Sequence, residues 1–268
     1  MSSVLEKSLA ILELMVEHPE GLQVSAIARQ LDMPVSGVHR QLRELARLGY
    51  VRQARDQGDY TLTLRLAALG LGFLGRSGVT DIAQPILDRL GSVSGELIRL
   101  SVLENGGLTW VAVAQGATVG LRYDPGREQG MRVHPASTAG GQALLATLSD
   151  DEILSVVGDT GLRPPGMPAT SKAPSTIAEL MRIIEETRQR GYSVAIDSYI
   201  EGMGAMAVAV RAGGTLDGPV IGCLSIAGPA VRFPTPRMEE LAPSLFDAAA
   251  ELGVAAPASH FFAGIAKG

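Results

Sequence analysis

Residues 23–45, QVSAIARQLDMPVSGVHRQLREL, decide the fold of the N-terminal part. Two short runs in this stretch repeat apolar residues at intervals of three and four, the spacing that turns one face of a helix toward a core. These positions are Val24, Ile27, Ala28 and Leu31 in the first run, and Val35, Val38, Leu42 and Leu45 in the second. Asp32-Met33-Pro34 separates the runs, and proline suits the first position of the second helix. The stretch therefore predicts a helix-turn-helix.

The outward side of the second predicted helix carries residues that indicate its role. They are small, or they hold hydrogen-bond donors long enough to reach a base edge or a phosphate. This outward set is Ser36, Gly37, His39, Arg40, Gln41 and Arg43. Arg40 and Arg43 are one helical turn apart, so we expect one at a base and the other at a phosphate, in either order. The pattern is typical of a DNA-recognition helix in a major groove.

Two short β-rich runs follow this helix. Tyr50–Gln53 and Tyr60–Leu62 flank a polar, glycine-containing turn, which predicts a small hairpin. A hairpin in this place is the wing of a winged helix, so residues 1–63 are predicted to form a winged helix-turn-helix DNA-binding domain. Arg52 and Arg55 are then expected beside the DNA backbone. The alternative is that both are solvated surface arginines.

Charge is distributed unevenly along the 268 residues. The net charge is −5, yet residues 1–80 hold nine Lys/Arg against eight Asp/Glu, and residues 29–65 hold seven against four. Residues 81–268 hold fourteen against twenty, so the acidity belongs to the C-terminal part. A local basic stripe around the predicted recognition helix agrees with a nucleic-acid partner.

Composition and motifs exclude several classes of protein. Cys223 is the single cysteine, which rules out an internal disulfide and a cysteine-rich metal site. No N-terminal segment has the plan of a signal peptide and no apolar run reaches membrane-spanning length, so a cytoplasmic protein without membrane contact is predicted. His134 has no ligand partner at metal-site spacing, and no nucleophile–base pair is evident. We therefore expect no metal, no other cofactor and no enzymatic activity.

Local signals predict the remaining elements. Ser3 followed by Glu6 predicts a capping box at the first helix. Leu5, Leu9, Leu12 and Val16 then form the apolar stripe of that helix. Residues 64–80 are predicted to form a dimerising linker helix, because its apolar residues lie nearly all round the helix. Residues 81–268 mix helices with strands and hairpins, which predicts an α+β domain with a mainly antiparallel sheet, including a strand at Val119–Tyr123.

A set of short motifs in this order and spacing resembles one family. The motifs are Ser8-Leu9-Ala10-Ile11-Leu12, Pro34-x-Ser36-x-Val38-x-Arg40-x-Leu42, Gly49-Tyr50-Val51, Tyr60-x-Leu62, Thr138-Ala139-x-Gly141-Gln142-Ala143-Leu144-Leu145-Ala146, Gly191-Tyr192-Ser193 and Ser225-Ile226-Ala227-Gly228-Pro229. The chain resembles the IclR family of bacterial transcriptional regulators over nearly its whole length. The resemblance implies a winged helix joined by a linker helix to a GAF-like effector domain, in homodimers or homotetramers. Gln142 is a departure, since the family usually has lysine there.

A second candidate site lies in the C-terminal part, at residues 134–142. A helix starting at Ser137 or Thr138 leaves free N–H groups beside Ala139 and Gly140, which favours a carboxylate or phosphate. By resemblance, Ala139 and Gly140 lie where the effector carboxylate binds, and Ser225 supplies a hydroxyl. Further pocket positions implied by the resemblance are Ala195, Met203, Ala205 and Ala227. Alternatively, Thr138 is only a helix cap; Trp110 and Tyr123 either line the pocket or fill the core.

These observations together predict an effector-controlled transcription factor, either a repressor or a dual regulator of a catabolic operon. A two-fold dimer is expected to bind double-stranded DNA at a pseudo-palindromic operator. The apolar pocket positions favour a larger, aromatic carboxylate over a small keto acid as the effector. The alternatives are an enzyme whose active site lies in the C-terminal domain, and a small-molecule sensor that acts through protein partners.

Overall fold

The structure, a computed structural model, describes residues 3–53 and 58–265. The chain divides into two compact units, Met1–Arg76 and Ser77–Gly268, which we call unit 1 and unit 2. Within the described ranges, no helix is long and apolar enough to cross a membrane.

Unit 1 is a winged helix-turn-helix. Its elements are α1 (Val4–Val16), α2 (Val24–Gln30), α3 (Val35–Arg47), β1 (Val51–Gln53), β2 (Tyr60–Leu62) and most of α4 (Leu64–Ser77). The predicted helix pair is α2 and α3, and Pro34 lies at the N-cap of α3, one residue before its first turn. The predicted hairpin pairs β1 with β2 in antiparallel register, with Val51 opposite Leu62.

Helix α1 begins as predicted but packs through a different face. Ser3 and Glu6 form the capping box, with the Ser3 amide 2.7 Å from a Glu6 carboxylate oxygen. Of the predicted apolar stripe, Leu12 is buried, together with Ile11 and Met15. Its members Leu5, Leu9 and Val16 are exposed. Both sides of α1 are apolar, so the spacing of its residues does not determine which side contacts α3.

Unit 2 is an α+β domain built on one five-stranded antiparallel sheet, as predicted. Its elements are α5 (Val79–Ser94), β3 (Leu97–Glu104), β4 (Gly107–Gln115), α6 (Ala139–Leu145), α7 (Asp150–Thr160), α8 (Ile177–Arg190), β5 (Ser193–Ile196), β6 (Met203–Arg211), β7 (Val220–Pro229), α9 (Thr235–Ala255) and α10 (His260–Ile265). The strand order is β4-β3-β7-β6-β5, and every neighbouring pair is antiparallel.

The two faces of this sheet carry side chains of different size. On β3, Ile98, Leu100 and Val102 belong to the large core beneath α5 and α9. Residues alternate between the faces of a strand, so Arg99 and Ser101 point to the opposite face. That second face is lined by small residues, namely Ala195, Ala205, Ala207, Ser225 and Ala227. Helix α6 packs on this face, where small side chains leave room beside it.

The predicted strand at Val119–Tyr123 is wrong. This segment belongs to a loop, in which Gly120 has a positive φ of 77° and Asp124 caps a 3₁₀ turn starting at Pro125. The loop returns along the edge of β4, where the Trp110 amide donates to Met131 and the Gly130 amide donates to Trp110. The free edge of β4 is therefore covered by a loop, without a further strand.

Candidate functional site

The exposed face of α3 presents unpaired positive charge. Arg40, Arg43 and His39 are exposed and line a shallow depression together with Glu44 and Arg47. Among the described residues, neither Arg40 nor Arg43 has a hydrogen-bond acceptor or an ion-pair partner. Arg47, by contrast, donates to Glu44 at 2.9 Å. Arg47 was not among the predicted residues, although it lies one turn after Arg43 on the same face.

Not every residue of the predicted outward set points outward. Ser36 is exposed and Gly37 is half-buried with open space beside it, but Gln41 is 5% exposed. The Ser8 hydroxyl donates to the Gln41 side-chain oxygen at 2.7 Å. The prediction that Gln41 lies on the outward side of α3 is therefore wrong, because its side chain joins α3 to α1. A buried amide is stable there because Ser8 supplies a hydrogen bond.

The wing adds one described arginine to this surface. Arg52 is exposed, and its Nε donates to the Thr61 hydroxyl across the hairpin at 3.3 Å. Arg55, the other predicted wing contact, lies outside the described residues. Arg65 at the start of α4 stacks over the Tyr50 ring, with its guanidinium carbon 5.2 Å from the ring centre.

Unit 2 contains a pocket between α6 and the small-residue face of the sheet. The space between these elements, counted out to its open mouth, is about 500 Å³. Nine of the ten predicted effector residues line it, namely Trp110, Thr138, Ala139, Gly140, Ala195, Met203, Ala205, Ser225 and Ala227. Four residues that we did not predict complete the lining, namely Arg99, Tyr199, Ile200 and Gly204.

The start of α6 supplies backbone donors to this pocket. The Thr138 hydroxyl accepts from the Gly141 amide at 3.0 Å and donates to the His134 carbonyl at 2.8 Å, so Thr138 is the helix cap as well as a lining residue. The Ala139 and Gly140 amides donate to no acceptor among the described residues. Gly141 is required, because a Cβ there would lie 2.4 Å from two carbonyl oxygens.

Arg99 is the one charged residue among the described residues that line the pocket. Its Nη1 donates to a Glu128 carboxylate oxygen at 2.5 Å, and both side chains are 8% exposed. The rings of Trp110 and Tyr123 lie against its guanidinium, with ring centres 4.9 and 5.3 Å from the central carbon. Arg99 Nε is buried and has no hydrogen-bond partner. The pocket thus holds a buried cation with unused donors.

Tyr123 lies outside the pocket lining, contrary to the prediction that it is a pocket residue. Its hydroxyl donates to the other Glu128 oxygen at 2.6 Å, so it holds the carboxylate that pairs with Arg99. Burial and the bond to Glu128 raise the pKa of Tyr123 above its usual value. Tyr199 is the second aromatic residue of the pocket and lies edge-on to Trp110, with ring centres 6.0 Å apart. Burial raises the pKa of Tyr199 as well, so its phenol stays neutral.

Comparison with known proteins identifies the family. A model of the IclR C-terminal domain of bacterial transcriptional regulators matches residues 72–254, and a model of the IclR helix-turn-helix domain matches residues 4–55. The chain belongs to the IclR family of bacterial transcriptional regulators.

Relatives of this IclR-family regulator match it over nearly the whole chain. The HTH-type transcriptional repressor AllR of Salmonella paratyphi A is 25% identical over 257 residues, covering 95% of this chain and 90% of AllR. The IclR regulator of Alicyclobacillus acidocaldarius has the same fold, with a TM-score of 0.79 at 21% identity, covering 95% and 99% of the two chains. An IclR homologue of Microbacterium hydrocarbonoxydans, complexed with 4-hydroxybenzoate, gives 0.74 at 23% identity, covering 96% and 100%.

Two other titratable residues of this regulator are built for packing. Burial raises the pKa of the Cys223 thiol to about 12, so it stays protonated and is a poor nucleophile. Burial lowers the pKa of His134, whose Nδ1 accepts from the Ser137 amide. Within residues 3–53 and 58–265, no group of three metal-ligating side chains is present.

Arg99 is the charged residue of the pocket lining that the sequence did not predict. It lies in the apolar run Leu97–Leu103, where a charge at one position suggests an outward-facing side chain. The useful signal is that both neighbours of Arg99 are apolar and Ser101 follows at the same-face position. A strand that is buried on both faces and still holds an arginine needs a partner for it.

Proposed function

We propose that this IclR-family regulator is a repressor of a catabolic operon, controlled by a small aromatic carboxylate that binds the pocket of unit 2. The chemistry of the residues that line the pocket is the main support for an aromatic carboxylate as the effector. The free amides at Ala139 and Gly140 offer donors to a carboxylate, and the unused N–H groups of Arg99 offer donors to a second polar group of the ligand. Trp110 and Tyr199 offer aromatic walls to a ring.

The apolar part of the lining supports an aromatic acid over a keto acid. Ala195, Met203, Ala205 and Ala227 offer no side-chain hydrogen bonds. A small keto acid is almost entirely polar and would leave these side chains without a matching surface. The relative with bound 4-hydroxybenzoate and the relative named as a repressor support the same proposal.

The exposed surface of unit 1 supports DNA binding as a homo-oligomer. Arg40 and Arg43 leave their charges free for a polyanion among the described residues. The linker helix α4 exposes large apolar side chains, with Leu64 84% and Leu71 71% exposed. We infer that a second copy covers them, giving the two-fold symmetry that a pseudo-palindromic operator requires.

A ligand screen tests the effector class without knowledge of the operator. We expect 4-hydroxybenzoate or another benzoate to raise the melting temperature, because a ligand that binds only the folded state stabilises it by mass action. Pyruvate and glyoxylate should give no shift, and benzamide serves as the uncharged control. A shift with keto acids alone would contradict the aromatic proposal.

A pocket-filling variant connects the ligand with DNA release. Ala205→Leu places a bulky side chain in the pocket while leaving unit 1 unchanged, so operator binding should persist and its response to the benzoate should disappear. Ala209→Ser, on the same face of β6 but outside the lining, is the matched control and should keep the response. Retained ligand control in Ala205→Leu would place the effector elsewhere.

A further inference from the structure

The Arg99–Glu128 pair makes one region of the pocket electrically neutral. A guanidinium has five N–H groups, and among the described residues Arg99 uses only Nη1, toward Glu128. The buried Nε has no acceptor. The Trp110 and Tyr123 rings flank the guanidinium at 4.9 and 5.3 Å, so a further acceptor has to approach along its edge. The Arg99 site is thus open to one more hydrogen-bond acceptor.

Glu128 is held in place from outside the pocket. One carboxylate oxygen accepts from Arg99 and the other accepts from the Tyr123 hydroxyl at 2.6 Å. Its backbone amide donates to Pro125 and its carbonyl accepts from Met131, within the loop that covers the edge of β4. The negative charge is therefore fixed beside Arg99 by three further residues of the loop, independently of any ligand.

We propose that Glu128 determines the charge of the ligand group that faces Arg99. With Glu128 in place, that group is a neutral acceptor, such as a phenolic hydroxyl or an ester carbonyl, because it satisfies the free N–H groups without adding charge. A carboxylate there would bring a second buried anion beside the Glu128 carboxylate, and like charges in a buried site disfavour each other.

This inference rests on the proposed function and narrows it. The effector of the proposed function has one carboxylate, and that group binds elsewhere in the pocket. The effector also carries a neutral polar substituent that binds Arg99, and the pocket rejects an aromatic dicarboxylate.

A matched pair of probes isolates this charge. Terephthalate and its monomethyl ester share a ring and one carboxylate, and they differ in the charge of the second group. Titrations followed by the fluorescence of Trp110, the single tryptophan of the chain, should show that the ester binds wild-type protein at least tenfold more tightly. In Glu128→Gln, the terephthalate affinity should rise at least tenfold and the ester affinity should change by less than threefold.

Controls separate charge from structure. Tyr123→Phe removes a hydrogen bond to Glu128 but keeps its charge, so the ester-to-diacid preference should stay within threefold of wild type. Should Glu128→Gln fail to fold, the wild-type comparison still decides, since equal or tighter binding of terephthalate overturns the inference. Equal strengthening of both probes in Glu128→Gln also overturns it, because Glu128 would then compete with a carboxylate common to both.

The same titrations distinguish this inference from the proposed function. If the ester binds and the charge preference is absent, Glu128 does not select the ligand, while the aromatic-acid pocket stands. If the ester, terephthalate and 4-hydroxybenzoate all fail to bind wild-type protein, the aromatic-acid pocket is wrong and the inference fails with it.

Discussion

The arginines of α3 and the arginine of the unit 2 pocket hold the same charge in opposite surroundings. Arg40 and Arg43 are exposed and, among the described residues, have no ion-pair partner, whereas Arg99 is buried and paired with Glu128. Water stabilises an exposed guanidinium, so unit 1 can offer positive charge to DNA without weakening its fold. A buried guanidinium needs a counterion, so in unit 2 the charge that lines the pocket is also part of the structure.

The largest expected effect comes from removing the buried charge. Arg99→Met leaves the Glu128 carboxylate buried without its cation, and we expect the free energy of unfolding of unit 2 to fall by about 3 kcal/mol. Urea unfolding followed by Trp110 fluorescence measures this change, because Trp110 packs against Arg99.

The double variant Arg99→Met with Glu128→Gln is the control for this prediction. Removing both charges should recover most of the lost stability, to within about 1 kcal/mol of wild type. A single variant as stable as wild type would mean that the pair is not buried in solution, and the contrast between the two units would disappear.

The exposed arginines should behave in the opposite way. Arg40→Ala should change the free energy of unfolding by less than about 0.5 kcal/mol and weaken binding to the operator by about tenfold or more. Fluorescence anisotropy at several salt concentrations measures the affinity. A loss confined to the cognate sequence indicates a base contact, whereas a uniform loss with a shallower salt slope indicates a phosphate contact.

Arg182→Ala is the matched control for Arg40→Ala. Arg182 is also an exposed helical arginine, but it lies on α8 of unit 2 and pairs with Glu186. Its removal should leave operator affinity unchanged. Equal losses in both variants would show that overall charge, and not the α3 surface, determines binding.

A smaller effect is expected inside α3 itself. Gln41→Ala removes the nearer of the two acceptors of the Ser8 hydroxyl, the other being the Val4 carbonyl, and should destabilise unit 1 by about 1 kcal/mol. Hydrogen exchange in peptides from α1 and α3 detects this local loss. Gln30→Ala, at an exposed position at the end of α2, should leave exchange unchanged; unchanged exchange in Gln41→Ala would contradict the buried position of Gln41.

The sequence predicts those parts of the fold that local chemistry determines. The capping box at Ser3 sets the start of α1 directly. The helix-turn-helix and the antiparallel sheet follow from spacing. The loop at Val119–Tyr123 was misassigned because its apolar residues, including Val119 at 84% exposure, resemble a strand without packing like one.

The α3 surface and the unit 2 pocket could each be predicted only in part, and for different reasons. The pocket positions on α6 and on β5 to β7 were predicted from the family resemblance, because the family motifs relate positions that lie far apart in the sequence. Gln41 was placed on the outward side of α3 and Arg99 was not predicted, because a polar side chain among apolar residues suggests solvent exposure. Only the tertiary partners, Ser8 for Gln41 and Glu128 for Arg99, make their burial favourable, and those partners lie 33 and 29 residues away along the chain.

The two faces of the sheet are free to change under different selective pressures, the large-residue face for stability and the small-residue face for the shape of the cavity. Stability depends mainly on the Leu, Ile and Val residues beneath α5 and α9. The alanines of the other face can each gain one or two heavy atoms into open space, which reshapes the cavity without disturbing that core. Such a scaffold is evolvable: under the proposed function, single substitutions at Ala195, Ala205 or Ala227 would redirect the choice of effector, and the same three positions would be the starting points for engineering a biosensor.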